Sequence, residues 1–136
     1  MGERPLDFPP CRFCPSEIKP SVVAELDSVW AVRDPHPVTE GHHLIVPKRH
    51  SEDFFSMTEK ERRGAEALIL ILKSRIGAAD RMVTGFNIGM NCGVSAGQSV
   101  FHAHIHLIPR REGDTPHPRG GVRGVIPDKM SYPAME

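Results

Sequence analysis

The chain carries no surplus of charge of either sign: Lys and Arg total 17, Asp and Glu total 17, and the formal net charge is zero with His neutral. A balanced chain has no general electrostatic attraction for a phosphate backbone or an anionic bilayer. Neither nucleic acid nor a membrane is therefore expected as a partner. No apolar run approaches the roughly 20 residues that span a bilayer. The N-terminus also lacks the charged-then-apolar layout of a signal peptide, so a cytoplasmic location is the default expectation. Cysteine is scarce, with three residues, of which Cys11 and Cys14 are separated by two. That is too few for a disulfide framework, and the spacing favours metal binding. At 136 residues the chain is read as one domain, 1–136, with a single sizeable core.

What is present follows a simple order. The first 20 residues are Pro-rich and hold the Cys-x-x-Cys pair, which suggests a loop or knuckle over 1–20. Ser21–Leu26 and Val29–Arg33 are short β-like runs joined by the turn-prone Asp27-Ser28. Pro35-His36-Pro37 cannot continue a central strand, and His43–Pro47 reads as a buried strand. Thr58 followed by Glu61 has the form of a capping box, opening a helix to about Ala79. Ala65, Leu68, Leu72 and Ile76 recur at helical spacing, and Leu70 and Ile71 make this helix apolar nearly all round. It is therefore expected to pack on a sheet and on a partner subunit. Thr84–Asn91 alternates, with Phe86, Ile88 and Met90 on one face, and Gly93–Gly97 makes a hairpin turn. Strands, one long helix and a hairpin suggest an α+β fold, an antiparallel β-sheet with one long packed helix.

After the hairpin comes His102-Ala103-His104-Ile105-His106, then Leu107-Ile108. Strict alternation is the signature of a half-buried strand. The three imidazoles would share one face, about 6–7 Å apart along it, with Ala103, Ile105 and Leu107 in the core behind. Each ring can act as nucleophile, proton donor or metal ligand near neutral pH. Two histidines at i and i+2 can also share one zinc, so a mononuclear metal site on this strand stays open.

The run from Gln98 to Ile108, with Gln98-Ser99-Val100 leading into three alternating histidines, resembles the signature of the histidine triad family of nucleotide hydrolases and transferases. The likeness extends from Cys11 to about Arg111. It implies that family's fold, an antiparallel sheet with a packed helix, doubled into a homodimer. It also implies cleavage of a purine nucleotide substrate at the α-phosphate through a nucleotidyl-histidine intermediate, releasing a nucleoside monophosphate. Carried over position by position, His104 is the nucleophile and His106 a donor to the α-phosphate oxygens. His42 is a further active-site histidine. Gln98 and Ser99 contact the phosphate and leaving group, Asp34 faces the ribose hydroxyls, and Asn91 lines the site. The related galactose-1-phosphate uridylyltransferases have Gln where His106 stands, which favours hydrolysis over transfer.

Bacterial members with a Cys-x-x-Cys pair complete a structural zinc site with the His that closes Val-Pro-Lys-Arg-His and with the first His of the triad. The implied ligands here are Cys11, Cys14, His50 and His102. Two other readings of the residues remain: a nucleotide-binding or scaffolding protein with weak catalysis, and a hydrolase in which zinc on His102 and His104 activates water. His36 and His117 are read as surface residues and Cys92 as a bystander. The arginines of the Gly-rich tail 111–136 suit phosphate, but equally a solvated arm or a dimer contact.

Overall fold

A computed structural model describes residues 11–131. Residues 1–10 of the expected knuckle and 132–136 of the tail lie outside the described residues. A short helix α1 (Pro15–Ile18) precedes strands β1 (Val22–Leu26), β2 (Val29–Arg33) and β3 (His43–Pro47). The long helix α2 (Glu59–Ala79) and strands β4 (Val83–Gly89) and β5 (Ile105–Arg111) follow. The five strands form one antiparallel sheet in the order β1-β2-β3-β5-β4. This is the α+β arrangement expected. Among the described residues no helix is long and apolar enough to cross a membrane.

The sheet has two differently furnished faces. Alternation along the strands sends Val29, Ala31, Ile45 and Leu107 to one side, where they meet Ala65, Leu68 and Leu72 of α2 and are joined by Ala103 from just before β5. Gly64 lets the helix approach β2 closely, because a Cβ there would stand 3.4 Å from Val29 Cγ2. The opposite face carries Trp30, Val32, Leu44 and Val46, covered by Phe13 and Ile18 of the N-terminal knuckle. The capping box that opens α2 is formed in full: Glu61 N–H donates to Thr58 Oγ1, and Thr58 N–H donates to Glu61 Oε1. Before β3, Gly41 takes φ +92°, a turn that disfavours any residue with a Cβ.

Two expectations need correction. The ladder of β5 begins at Ile105, so His102 and His104 precede it and only His106 lies within the strand. The cause is a competing partner: Ala103 N–H donates to Ser51 O at 2.6 Å and is drawn away from the sheet. The connection from β4 to β5 is no tight hairpin but a loop over 90–104 containing a 3-10 turn, Val94–Ala96. Within the chain α2 packs on the sheet as expected. On its outward face Leu70 and Ile71 are exposed, at 60% and 37%, as is Ile88 on the edge strand β4.

Leu68 is 1% exposed at the centre of the helix–sheet layer. Leu68→Ala is expected to lower unfolding free energy by about 2–5 kcal/mol, measured by urea denaturation; a loss under about 1 kcal/mol would contradict the packing described.

Candidate active site and metal cluster

His102, His104 and His106 come together on the sheet face opposite α2. Register fixes this for His106, which pairs with Leu44 and so shares its face. Phe13 lies against the others, its ring centroid 4.9 Å from His104 and 6.2 Å from His102. The three rings are not equivalent. His102 is fully buried, His104 is 9% exposed and the His106 side chain is 28% exposed, so accessibility rises along the motif.

Hydrogen bonds assign each ring its proton. His104 Nδ1 is 2.9 Å from the carbonyl of His102. A carbonyl only accepts, so Nδ1 carries the hydrogen and Nε2 keeps its lone pair. A second chain starts at Val38, whose N–H donates to His42 Nδ1 at 3.1 Å. His42 therefore holds its proton on Nε2, which lies 2.9 Å from His106 Nδ1 and 3.3 Å from Asp34 Oδ2. With Nδ1 accepting, His106 carries its own proton on Nε2. The result is a neutral lone pair on His104 beside a neutral N–H on His106, with ring centroids 5.4 Å apart. That pairing can attack an electrophile and hold an adjacent anionic oxygen.

Burial sustains the neutral forms. It pushes the His42 imidazole below its ordinary value, against the opposing pull of the Asp34 carboxylate. His106 is lowered first by burial and then by the neighbouring His104 and His42 rings. Burial likewise lowers His43, whose Nδ1 faces the Gly41 carbonyl.

His102 looks the other way. Its Nε2 donates to Pro47 O at 2.8 Å, while Nδ1 lies 3.4 Å from Cys11 Sγ and 3.6 Å from Cys14 Sγ. His50 Nδ1 stands 3.6 Å and 3.2 Å from the same two sulfurs. The four ligand atoms lie within 4.8 Å of one another. Sulfur–nitrogen edges of a tetrahedral zinc site come to about 3.5 Å from Zn–S and Zn–N bond lengths, so these separations fit a Cys2His2 metal site. The sulfurs themselves are 2.6 Å apart and must separate by about 1 Å to span such a site. The carbonyl behind His102 is the usual support for a ligating imidazole. His104 belongs to neither group of potential metal ligands among the described residues, which weighs against a shared metal on His102 and His104. Asp34, His42 and His106 form the other such group, but the Val38 N–H keeps the His42 proton on the nitrogen that a metal would need.

The remaining candidates separate. Asp34 is turned inward, with Oδ1 accepting from His36 N–H and Oδ2 facing His42. Gln98 is buried, and its amide accepts from Gly93 N–H and donates to Glu52 O and Val100 O. Those bonds engage both the oxygen and the nitrogen of the amide. Ser99 and Asn91 are exposed on the 90–104 loop. The two arginines that follow the motif are engaged as well: Arg110 with Asp114 and Asn87, Arg111 with Asp80 and Glu40 O. They are therefore tied to the sheet rather than held open for phosphate. Sequence reasoning missed Phe13, the Val38 N–H and the Pro47 carbonyl. Phe13 carried a faint signal, since it stands between the two cysteines.

The HIT domain profile matches residues 15–113. An uncharacterised HIT-like protein of Methanocaldococcus jannaschii is 40% identical over 108 residues, covering 76% of this chain and 79% of that protein. The adenylylsulfatase HINT3 of Arabidopsis thaliana is 34% identical over 107 residues, covering 76% of this chain and 52% of that protein. Among solved structures, a hypothetical histidine triad nucleotide-binding protein from Sulfolobus tokodaii superposes with a TM-score of 0.68 at 33% identity. That match covers 78% of this chain and 72% of the other.

Because burial lowers His42, His43 and His106, their NMR titrations should have midpoints below the 6.5 of a free imidazole. Below pH 6.5 the unfolded chain binds protons that the native chain refuses, so folding stability should fall as pH drops from 7 to 5.5. Midpoints at or above 6.5 would refute the protonation assignment.

Proposed function

The chain belongs to the HIT domain family, and on that premise we propose that it is a hydrolase cleaving nucleotide substrates at the α-phosphate to release a nucleoside monophosphate. The observation that carries this reading is the fixed tautomer of His104. With Nδ1–H held by the His102 carbonyl at 2.9 Å, its Nε2 lone pair is the free end of the ring. Dinucleoside polyphosphates and nucleoside phosphoramidates are the substrate classes proposed, with a purine base. The 34% identical relative from Arabidopsis bears the name adenylylsulfatase, which supports attack at an adenylyl phosphorus.

In the first step His104 Nε2 attacks the α-phosphorus, forming a P–N bond as the bond to the leaving group breaks. The His104 Nδ1–H bond to the carbonyl shortens in effect as the ring gains positive charge. His106 Nε2–H holds a nonbridging oxygen, and the His42 Nε2–H behind it keeps His106 in the donor form. Ser99 is assigned to the leaving group, which departs taking a proton from solvent. In the second step water attacks the same phosphorus and gives up a proton to solvent, the P–N bond breaks, and the nucleoside monophosphate leaves with neutral His104 restored. Asp34 has acceptor capacity beyond its bonds to His36 and His42 for the ribose hydroxyls. Asn91 lines the entrance, and Gln98 holds the loop that presents Ser99.

The cluster of Cys11, Cys14, His50 and His102 is proposed to hold a structural zinc. Zinc there would supply a four-ligand cross-link between knuckle and motif, and no chemical step. The exposed Leu70 and Ile71 on α2 and the open edge of β4 support a homodimer.

Release of nucleoside monophosphate from diadenosine polyphosphates and adenosine phosphoramidates should be measured for wild type and His104→Ala, each with its zinc content. His104→Ala is expected to lose on the order of 10³-fold or more in kcat while retaining one zinc per chain. Equal turnover by both would refute His104 as nucleophile. No turnover by zinc-loaded wild type, with nucleotide affinity intact, would favour the binding-protein reading.

A further inference from the structure

A buried carboxylate outside both clusters sits under the metal ligands. Glu61, in the first turn of α2, has a side chain 5% exposed. Its two oxygens take Arg49 Nε and Nη2 at 2.9 Å each, a bidentate pair, and Oε1 also accepts from Thr58 N–H at 2.9 Å. Arg49 Nη2 donates in addition to Ser56 O at 3.0 Å. A carboxylate this buried is held only where its partners are in place, and removing one leaves an uncompensated charge.

The position of this pair in the chain is informative. Arg49 immediately precedes His50. On the other side, Ser51 is buried; its hydroxyl bonds Ser56 Oγ at 2.8 Å and its carbonyl accepts from Ala103 N–H at 2.6 Å. Ala103 in turn follows His102. On one side of His50 the Arg49 side chain is thus clamped to the start of α2, and on the other Ser51 is tied to the Phe54–Ser56 turn and, through its carbonyl, to the residue after His102. The His50 ring itself is exposed.

We propose that Glu61 and Arg49 are positioning residues of the metal centre: their ion pair fixes the 49–51 segment so that His50 Nδ1 meets the two thiolates. This rests on the zinc reading above. It assigns to the N-terminus of α2, on the far side of the sheet from the nucleophile, control over metal affinity. Outer-shell partners of ligands commonly contribute 10–100-fold to affinity. Here the partner acts through the backbone, since Arg49 and His50 are neighbours.

The test is zinc affinity by chelator competition, with the ligand-field spectrum of the cobalt(II)-substituted protein, for wild type, Glu61→Gln, Arg49→Ala, Arg49→Lys and Thr58→Ala. Glu61→Gln and Arg49→Ala are expected to weaken zinc 10–100-fold and to shift the cobalt bands. Arg49→Lys should recover only part, because an ammonium does not span both carboxylate oxygens. Thr58→Ala removes the helix cap yet leaves the ion pair, so it should lower the melting temperature without changing zinc affinity. If Arg49→Ala does not fold, because it leaves the Glu61 charge buried and uncompensated, Glu61→Gln decides the matter, since its amide carries no charge. Wild-type affinity and spectra in the folded variant of this pair would overturn the inference while leaving the zinc site standing. A wild-type protein that takes up no zinc would overturn the zinc reading itself, and the inference with it.

Discussion

One hydrogen bond governs the chemistry open to this fold: His104 Nδ1–H to the carbonyl of His102. It selects the tautomer whose lone pair points outward, and it joins two residues with opposite duties. His102 faces inward to the cysteines and to Pro47 O, and His104 faces outward. Alternation alone would have given three equivalent rings. The backbone instead leaves the sheet ladder before Ile105, which lets residue 102 reach the cluster while its carbonyl serves residue 104. The proposed nucleophile and the proposed cross-link are coupled through a single peptide group.

The second chain, from Val38 N–H through His42 to His106, acts in the same manner. A backbone N–H is an invariable donor, so it dictates the protonation of two rings in turn without any charged group at the reacting end. Burial reinforces it by disfavouring the imidazolium. A neutral N–H donor beside a free imidazole lone pair is the arrangement that the proposed attack on an anionic phosphate ester calls for.

Much of this was legible in the sequence, for identifiable reasons. The capping box, the α2 stripe and the alternations of the first four strands are local patterns, and those elements formed within a residue or two of them. The metal candidates were legible because ligand types are few and the cysteine spacing is distinctive. What stayed hidden depends on contacts distant in the chain. The late start of β5 comes from Ser51, the Glu61–Arg49 clamp joins a helix cap to a strand exit, and the bonds that occupy the Gln98 amide include one to Glu52. The apolar outward face of α2 was equally legible, but apolarity reports a capacity for burial and does not say what supplies the cover.

The measurement that bears most directly on the central claim is mass spectrometry of protein mixed with excess substrate and quenched under alkaline denaturing conditions, where a P–N bond survives. A nucleoside monophosphate attached to the peptide that contains His104, and absent from His104→Ala, is the predicted result. Steady turnover with no such adduct at any quench time, or an adduct on His106, would contradict it.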